Sequence, residues 1–273
     1  MSKAFVDTTL LTDVLLKPHG KGPAARAGLE RFDETLLPVY AIKEFKLGPL
    51  RYFRWFHNKL VTTGSFVDTV AALQALSMTP QRYLTATALE ALKEAIATLR
   101  SGNITNGDLQ DKYGAKASVD RTLCDSFRDS TRIAIDKAWR RRRSVTTKVV
   151  NPLACYPESS PFYAKGLVEL SPSKCKPKNE CCLGPKIRKR AKDVETLATT
   201  VKAQKSKAEN LGRYRVLHEI ARKPTDPVPE EYCIGLGDAY FALFGPTDAT
   251  VLTTNIDDHE PLCSALGKTA QVP

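Results

Sequence analysis

The sequence predicts an α/β fold, with strands near the two ends of the chain and a largely helical body between them. Short apolar runs typical of buried strands lie at 3–6, 36–40 and 250–253. The long interval between them repeats apolar residues at helical spacing. Carboxylates stand where these strands end or where the next helices begin, and this is the edge at which a parallel sheet flanked by helices binds its ligands.

The N-terminal elements each have a local cause. The strand over 3–6 is followed by Thr8 and Thr9, either of which can cap a helix over 10–16. The interval 17–28 is rich in Gly and Pro and predicts a loop.

The second strand, 36–40, contains Pro38, which lacks the amide hydrogen that a central strand donates. A helix over 41–60 follows it, with a break expected at Gly48-Pro49. Further helices are predicted over 66–76, 81–99, 119–143 and 187–221, and the interval 151–185 is expected to be irregular.

The C-terminal part is predicted to return to the α/β pattern. A helix is expected over 231–244, with an alternative start near Asp238. A strand over 250–253, a loop over 255–258, a short helix over 260–266 and an edge strand over 268–272 complete the chain. We therefore assign 1–62 and 226–273 to one α/β core, and 63–225 to a helical, basic insertion.

Charge is the strongest compositional signal in the 273 residues. Lys and Arg number 41 against 30 Asp and Glu, which gives a net charge of +11. This balance favours polyanionic partners, with nucleic acid ahead of an acidic membrane surface. Two basic clusters are predicted to contact phosphates, with a solvated helix face as the alternative: Arg140, Arg141, Arg142, Arg143, Lys186, Arg188, Lys189 and Arg190.

The sequence predicts neither a membrane protein nor a secreted one. No apolar stretch is long enough to span a bilayer, and Asp7 and Asp13 interrupt the apolar N-terminal region that a signal peptide needs. We expect a cytoplasmic protein with no membrane partner, whose seven cysteines are reduced.

Cysteine and histidine spacing gives little support to a zinc site. A group of cysteines in the irregular interval lacks a Cys-x-x-Cys pair, so buried thiols are favoured over zinc ligands: Cys155, Cys175, Cys181 and Cys182. His259 adjoins the acidic loop near the C-terminus, and we expect it at the surface, with a contact to the phosphate as the alternative.

Four short motifs, in this order along the chain, resemble a PIN domain. They are Phe5-Val6-Asp7-Thr8, Ile42-Lys43-Glu44-Phe45, Asp238-Ala239 at a helix start, and Leu252-Thr253-Thr254-Asn255-Ile256-Asp257-Asp258. The resemblance covers the two ends of the chain. It implies a PIN-like core with a central parallel sheet flanked by helices, into which the mostly helical body is inserted.

Carried over by position, the resemblance implies a metal set of Asp7, Glu44, Asp238 and Asp258, which would also be the catalytic residues. Asp257 is the alternative for the last position, because the two acids are adjacent. Asn255 would position a ligand or a water. Thr8 or Thr9 would bond near the first Asp or the scissile phosphate, or would simply cap the helix. The cation expected among separated carboxylates is Mg²⁺ or Mn²⁺.

The resemblance therefore implies a divalent-metal-dependent endonuclease that hydrolyses phosphodiester bonds, in RNA more than in DNA. One alternative is a non-catalytic module that binds nucleic acid through the basic insertion. Another is a toxin-like or defence effector held inactive by a protein partner. A homo-oligomer is also compatible with the sequence.

Overall fold

The computed structural model of the protein describes most of the chain. The described residues are 1–78, 85, 88–90, 92–94, 96–97, 106–113, 118–154, 156, 160–170, 182–203, 208–223 and 228–273.

Helices dominate the described residues. In the N-terminal half they are α1 (Thr8–Leu16), α2 (Gly22–Glu30), α3 (Val39–Leu47), α4 (Pro49–Thr63), α5 (Phe66–Ser77), α6 (Asn106–Tyr113) and α7 (Val119–Arg141). In the C-terminal half they are α8 (Leu183–Arg188), α9 (Ala191–Ala203), α10 (Ala208–Arg222), α11 (Glu230–Gly235), α12 (Asp238–Phe244) and α13 (Ile256–Ala265).

The strands form a five-stranded parallel sheet and a separate hairpin. The sheet contains β1 (Lys3–Val6), β2 (Glu34–Pro38), β3 (Lys148–Val150), β6 (Thr250–Leu252) and β7 (Ala270–Gln271), in the order β3-β2-β1-β6-β7. The hairpin pairs β4 (Phe162–Ala164) with β5 (Leu167–Glu169). An α/β fold with a parallel sheet flanked by helices is therefore confirmed.

β1 lies at the centre of the sheet with β2 beside it. β2 is Glu34–Pro38 rather than the predicted 36–40, because the chain turns at Pro38 and Val39 begins α3. Phe5 pairs with Leu36 on one side and with Val251 on the other, and its side chain has no exposed surface. Burial on both faces explains why these strands read as apolar runs rather than as alternating patterns.

Several boundaries predicted from the sequence are wrong, each for an identifiable reason. The interval predicted as a loop contains most of α2. Pro23 lies in the first turn of this helix, where backbone amides have no partner within the helix, so the amide hydrogen that proline lacks is not missed. The irregular interval contains the β4–β5 hairpin, whose turn holds Lys165 and Gly166 at φ values of 51° and 80°. Positive φ at both turn residues matches the twist of a two-residue hairpin. Within the predicted helix over 81–99, the residues that the structure describes are helical, and the rest lie outside the described part.

Elements from within the interval 63–225 contribute to the sheet and to its buried core. β3, from within 63–225, is one of the two edge strands of the sheet and pairs with β2. Ile135 and Trp139 of α7, with Val194 of α9, lie in the same buried cluster as Phe5. Helices from the middle of the chain thus cover the sheet, and a second buried cluster lies between α4, α5 and α7.

A buried lysine ties the C-terminal strand region to α12. The Nζ atom of Lys268 donates to the carbonyl oxygens of Ala242, Leu243 and Gly245 at 2.5, 3.3 and 2.6 Å. These carbonyls lie at the C-terminal end of α12, where a cation is favoured by the helix dipole. Among the described residues, no helix combines the length and the apolar character needed to cross a bilayer.

The prediction of thiols rather than zinc ligands is tested only in part. Cys182 is a free, partly buried thiol. Cys155, Cys175 and Cys181 lie outside the described residues.

Candidate functional site

The sheet has one switch point, between β1 and β6. The chain passes from β1 to β2 and β3 on one side, and then returns to place β6 and β7 on the other. Loops leaving the carboxyl ends of two such strands diverge and open a crevice, which is where sheets of this kind bind ligands. Asp7 directly follows β1, and Thr253 directly follows β6.

Asp7 is buried and held in a single orientation. Its carboxylate caps α1 by accepting hydrogen bonds from the backbone amides of Thr8 and Thr9, at 2.5 and 3.2 Å. The hydroxyls of Thr9 and Thr253 also donate to Oδ2, at 2.5 and 2.8 Å. The helix cap is thus Asp7 rather than either threonine, because a carboxylate can accept from both amides.

Glu44 lies beside this carboxylate, on the helix that follows β2. The hydroxyl of Thr8 donates to Glu44 Oε2 at 2.6 Å. One turn earlier, Tyr40 stacks on Tyr240 of α12 with ring centroids 3.9 Å apart. Its hydroxyl donates to the carbonyl of Cys233 at 2.7 Å. These contacts hold α3 against α12, so that Glu44 and the start of α12 share one wall.

Asp238 begins α12 and faces the first acid across the crevice. The residue before it, Gly237, has φ +44°, and its amide donates to the Tyr40 hydroxyl at 3.1 Å. A side chain at this φ would be strained, so glycine suits the sharp entry into the helix. Asp238 Oδ1 lies 3.2 Å from Nε2 of His259, and Asp7 Oδ2 lies 3.4 Å from the same nitrogen. One ligand atom from each of these residues lies within 4.8 Å of the others.

The fourth predicted acid, Asp258, is held differently. Its Oδ2 accepts from Asn255 Nδ2 at 2.7 Å and lies 3.3 Å from Nη2 of Arg213. The same guanidinium nitrogen lies 2.7 Å from Asp238 Oδ2, so Arg213 bridges the two acids. Asp257, the alternative to Asp258, is exposed in the first turn of α13.

The charges in this crevice perturb one another. Burial raises the pKa of Glu44, and the carboxylates of Asp7 and Asp238 add to this, to about 8. Burial would also raise the pKa of Asp7, but His259 and the hydroxyls of Thr9 and Thr253 stabilise its carboxylate and hold the pKa below the ordinary value. Burial opposes the charge on His259, yet the carboxylates of Asp238 and Asp7 outweigh it and raise the imidazole pKa to about 10. The acids thus share one electrostatic environment.

The crevice widens into a cavity of about 1060 Å³ that carries both signs of charge. Its acidic end contains Asp7, Glu44 and Asp238, with Asn255 on its rim. Asp13 also lines it and pairs with Lys17 at 3.0 Å. Among apolar and hydroxyl residues, six basic residues also line the cavity and are called the basic wall: Lys17, Lys21, Lys43, Lys46, Arg51 and Arg54. Lys43 and Lys46 are buried. A row of cations beside a group of acids suits a ligand that is itself negatively charged along its length.

The eight basic residues predicted to contact nucleic acid lie elsewhere. None of them is among the residues that line the cavity. Arg142 lies on the Trp139 ring at 3.8 Å, and Arg190 bonds to the carbonyl of Leu243 and pairs with Asp193 at 2.8 Å. Arg142 and Arg190, two of the eight residues, are thus engaged in contacts within the protein.

Three residues of the site are not among the site residues that the sequence predicts. Thr253, Arg213 and His259 all touch the predicted acids. The expectation that His259 is at the surface is wrong, since its side chain has no exposed surface. The only sequence signal for it was its position directly after two acids behind a strand. The depth of the residue depends on how α13 packs against α12.

The donor set fits a divalent cation. One ligand atom each of Asp7, Asp238 and His259 lies within 4.8 Å of the others, and the Glu44 carboxyl lines the same cavity. Burial, together with the carboxylates of Asp7 and Asp238, raises the pKa of Glu44, and a cation would oppose that rise. Oxygen donors of this kind bind Mg²⁺ and Mn²⁺, which need only a few protein ligands.

Comparison of the chain with protein-family models, curated proteins and solved structures finds no match.

Proposed function

We propose that this protein is a divalent-metal-dependent endonuclease that hydrolyses phosphodiester bonds, in RNA more than in DNA, on a PIN-like core. The observation that carries the proposal is the cavity in which three acids from distant parts of the chain lie beside a basic wall. The resemblance of the two chain ends to PIN domains names the same three residues, Asp7, Glu44 and Asp238.

Each group in the cavity has a role in this proposal. Asp7, Glu44 and Asp238 would hold the cation, with Thr9 and Thr253 fixing the orientation of the first carboxylate. When bound, Mg²⁺ or Mn²⁺ supplies charge stabilisation at the phosphate and a more acidic water. The basic wall would hold the phosphates on either side of the reacting one. Asn255, on the rim, would position a ligand or a water.

Cleavage assays test the proposal directly. Single-stranded RNA and DNA oligonucleotides are incubated with the protein in Mg²⁺, Mn²⁺ or EDTA. The Asp7→Asn and Asp238→Asn variants are expected to lose activity by about a hundredfold or more, the usual cost of removing an electrostatic contact to the transition state. Glu260→Gln, an exposed acid on α13, is the matched control and should keep full activity. Activity in EDTA, or full activity in both aspartate variants, would contradict the proposal.

One observation favours a second function, a nucleic-acid-binding module without catalysis. His259 and Arg213 already place positive groups against three of the acids. If these groups replace the cation, the basic wall would still bind a polyanion. The Asp7→Asn and Asp238→Asn variants would then bind nucleic acid as well as the original protein does, and no divalent ion would affect binding or cleavage.

A further inference from the structure

His259 is a buried side chain of the crevice whose contacts with the acids are ion pairs rather than well-formed hydrogen bonds. Its side chain has no exposed surface, and neither ring nitrogen has a hydrogen-bond partner among the described residues. The contacts of Nε2 with Asp238 Oδ1 at 3.2 Å and Asp7 Oδ2 at 3.4 Å lack hydrogen-bond geometry. A buried polar group normally has a partner, because leaving it without one costs about 1–3 kcal/mol.

We infer that Nε2 of His259 is a protein ligand of the divalent cation, together with one carboxylate oxygen each from Asp7 and Asp238. The inference rests on the metal site of the proposed function and specifies its chemistry. The site would then be of the Asp-Asp-His type, with Glu44 beside it, rather than purely carboxylate. Such a site prefers Mn²⁺ to Mg²⁺.

The separations of the three atoms suit a single ion. Neighbouring ligands of a six-coordinate Mg²⁺ or Mn²⁺ at roughly 2.1 Å are roughly 3 Å apart. The two distances from Nε2, 3.2 and 3.4 Å, are close to this value, and all three ligand atoms lie within 4.8 Å. A cation among them would take the place of the proton that Nε2 holds between the two carboxylates, and that proton would leave to solvent.

The fold holds all three side chains in place. Asp7 is fixed by the amides of α1 and the hydroxyl of Thr253. The ring of His259 makes an edge contact with Phe241, with centroids 5.5 Å apart. Because Phe241 lies in the helix that Asp238 begins, the imidazole and the second carboxylate belong to one packed unit. Ligands that are already oriented bind an ion more tightly than mobile ones.

The preference for Mn²⁺ follows from the nitrogen donor. Mg²⁺ is a hard ion that binds oxygen ligands and retains its waters, whereas an imidazole nitrogen is a poor ligand for it. First-row transition ions accept imidazole and carboxylate together. Mn²⁺ is the member of that series that also suits carboxylate and water, so it is the ion this mixed set should select over Mg²⁺.

Calorimetric titration of the full chain with MnCl₂ and with MgCl₂ measures the preference. Mn²⁺ is expected to bind at least about ten times more tightly than Mg²⁺. In His259→Gln the affinity for Mn²⁺ should fall by about tenfold or more, while that for Mg²⁺ changes little. His218→Gln, a partly buried histidine on α10, is the matched control and should bind both ions as the original protein does.

Pulsed electron paramagnetic resonance of bound Mn²⁺ gives an independent readout. The original protein should show nitrogen modulation from one imidazole, and the His259→Gln variant should lack it. Unchanged Mn²⁺ affinity in a folded His259→Gln variant would overturn the inference. If this variant does not fold, the spectrum of the original protein decides alone, and absence of nitrogen coupling overturns the inference.

These outcomes separate the inference from the proposed function. Nitrogen-coupled Mn²⁺ in a protein that cleaves no nucleic acid would support the ligand assignment and contradict the nuclease. Metal-dependent cleavage by a protein without nitrogen coupling would contradict the ligand assignment and support the nuclease. Absence of divalent ion binding would contradict both.

Discussion

Replacing Glu44 by Gln tests whether burial beside other acids makes ionisation of this carboxyl unfavourable in the folded protein. Burial, together with the nearby carboxylates of Asp7 and Asp238, raises the pKa of Glu44 from 4.5 to about 8. Gln keeps the oxygen that accepts from the Thr8 hydroxyl, at 2.6 Å in the original protein. The substitution therefore removes the ionisation of the group with little change in its shape.

The sign of the effect follows from proton linkage. Because Glu44 binds its proton more tightly in the folded state, folding takes up a proton between the two pKa values. The contribution of the group to stability is therefore fully present below pH 4.5 and is lost as the pH rises to about 8. The original protein should lose stability relative to Glu44→Gln over this interval.

The size of the effect depends on how far water reaches the carboxyl. Each pKa unit corresponds to about 1.4 kcal/mol, so a fully sealed Glu44 would lose about 5 kcal/mol. The residue is only partly buried by surface area and lines an open cavity. Solvent screening lowers the value, and we expect a change of about 2 kcal/mol between pH 5 and pH 9.

Urea unfolding in EDTA at a series of pH values measures this difference. The free energy of unfolding of Glu44→Gln minus that of the original protein should grow by about 2 kcal/mol from pH 5 to pH 9. Glu195→Gln, an exposed acid on α9, should show no such trend. Saturating Mn²⁺ should reduce or reverse the difference, since a cation stabilises the ionised carboxyl. If the free energies of unfolding of Glu44→Gln and the original protein change in parallel with pH in EDTA, the raised pKa of Glu44 is refuted.

Other substitutions probe the remaining charges. In Arg213→Gln, loss of the guanidinium that bridges two acids should raise Mn²⁺ affinity by about tenfold in calorimetry. Arg215→Gln, exposed on the same helix, should leave that affinity unchanged. In Lys268→Met, three carbonyls at the end of α12 lose their donor, and urea unfolding should show a loss of about 3 kcal/mol; a loss under 0.5 kcal/mol would contradict this. In Arg51→Ala, removal of an exposed cation of the basic wall should weaken RNA binding and reduce the slope of log K against log salt by about one, as fluorescence anisotropy would show. An unchanged slope would place the bound strand outside the cavity.

Strands β1 and β6 could be predicted from the sequence because their information is local. The apolar runs at 3–6 and 250–253 correspond to β1 and β6, each within one residue. β3 was missed because it has three residues and only partly buried side chains. Its place in the sheet depends on pairing with β2, more than a hundred residues earlier.

The residues of the candidate site also differ in whether the sequence alone identifies them. Asp7 and Asp238 were identifiable because each acid stands at a strand exit or a helix start, and the structure brings both to one crevice. Asp258 was named with them, yet it lies against Asn255 and Arg213 and does not line the cavity. Adjacent acids in the first turn of a helix point in different directions, and their sequence does not say which one faces the sheet.

Local sequence patterns were enough to indicate an α/β class, the two central strands and the acids that follow or precede them. Such features depend on the periodicity of neighbouring residues and on which residues can end a strand or begin a helix. The depth of His259, the bridge made by Arg213 and the basic wall of the cavity depend on tertiary packing. The residues that they contact lie far away in the chain. Burial strengthens the electrostatic interactions between these groups, and it exists only in the folded protein, where the helices cover the sheet.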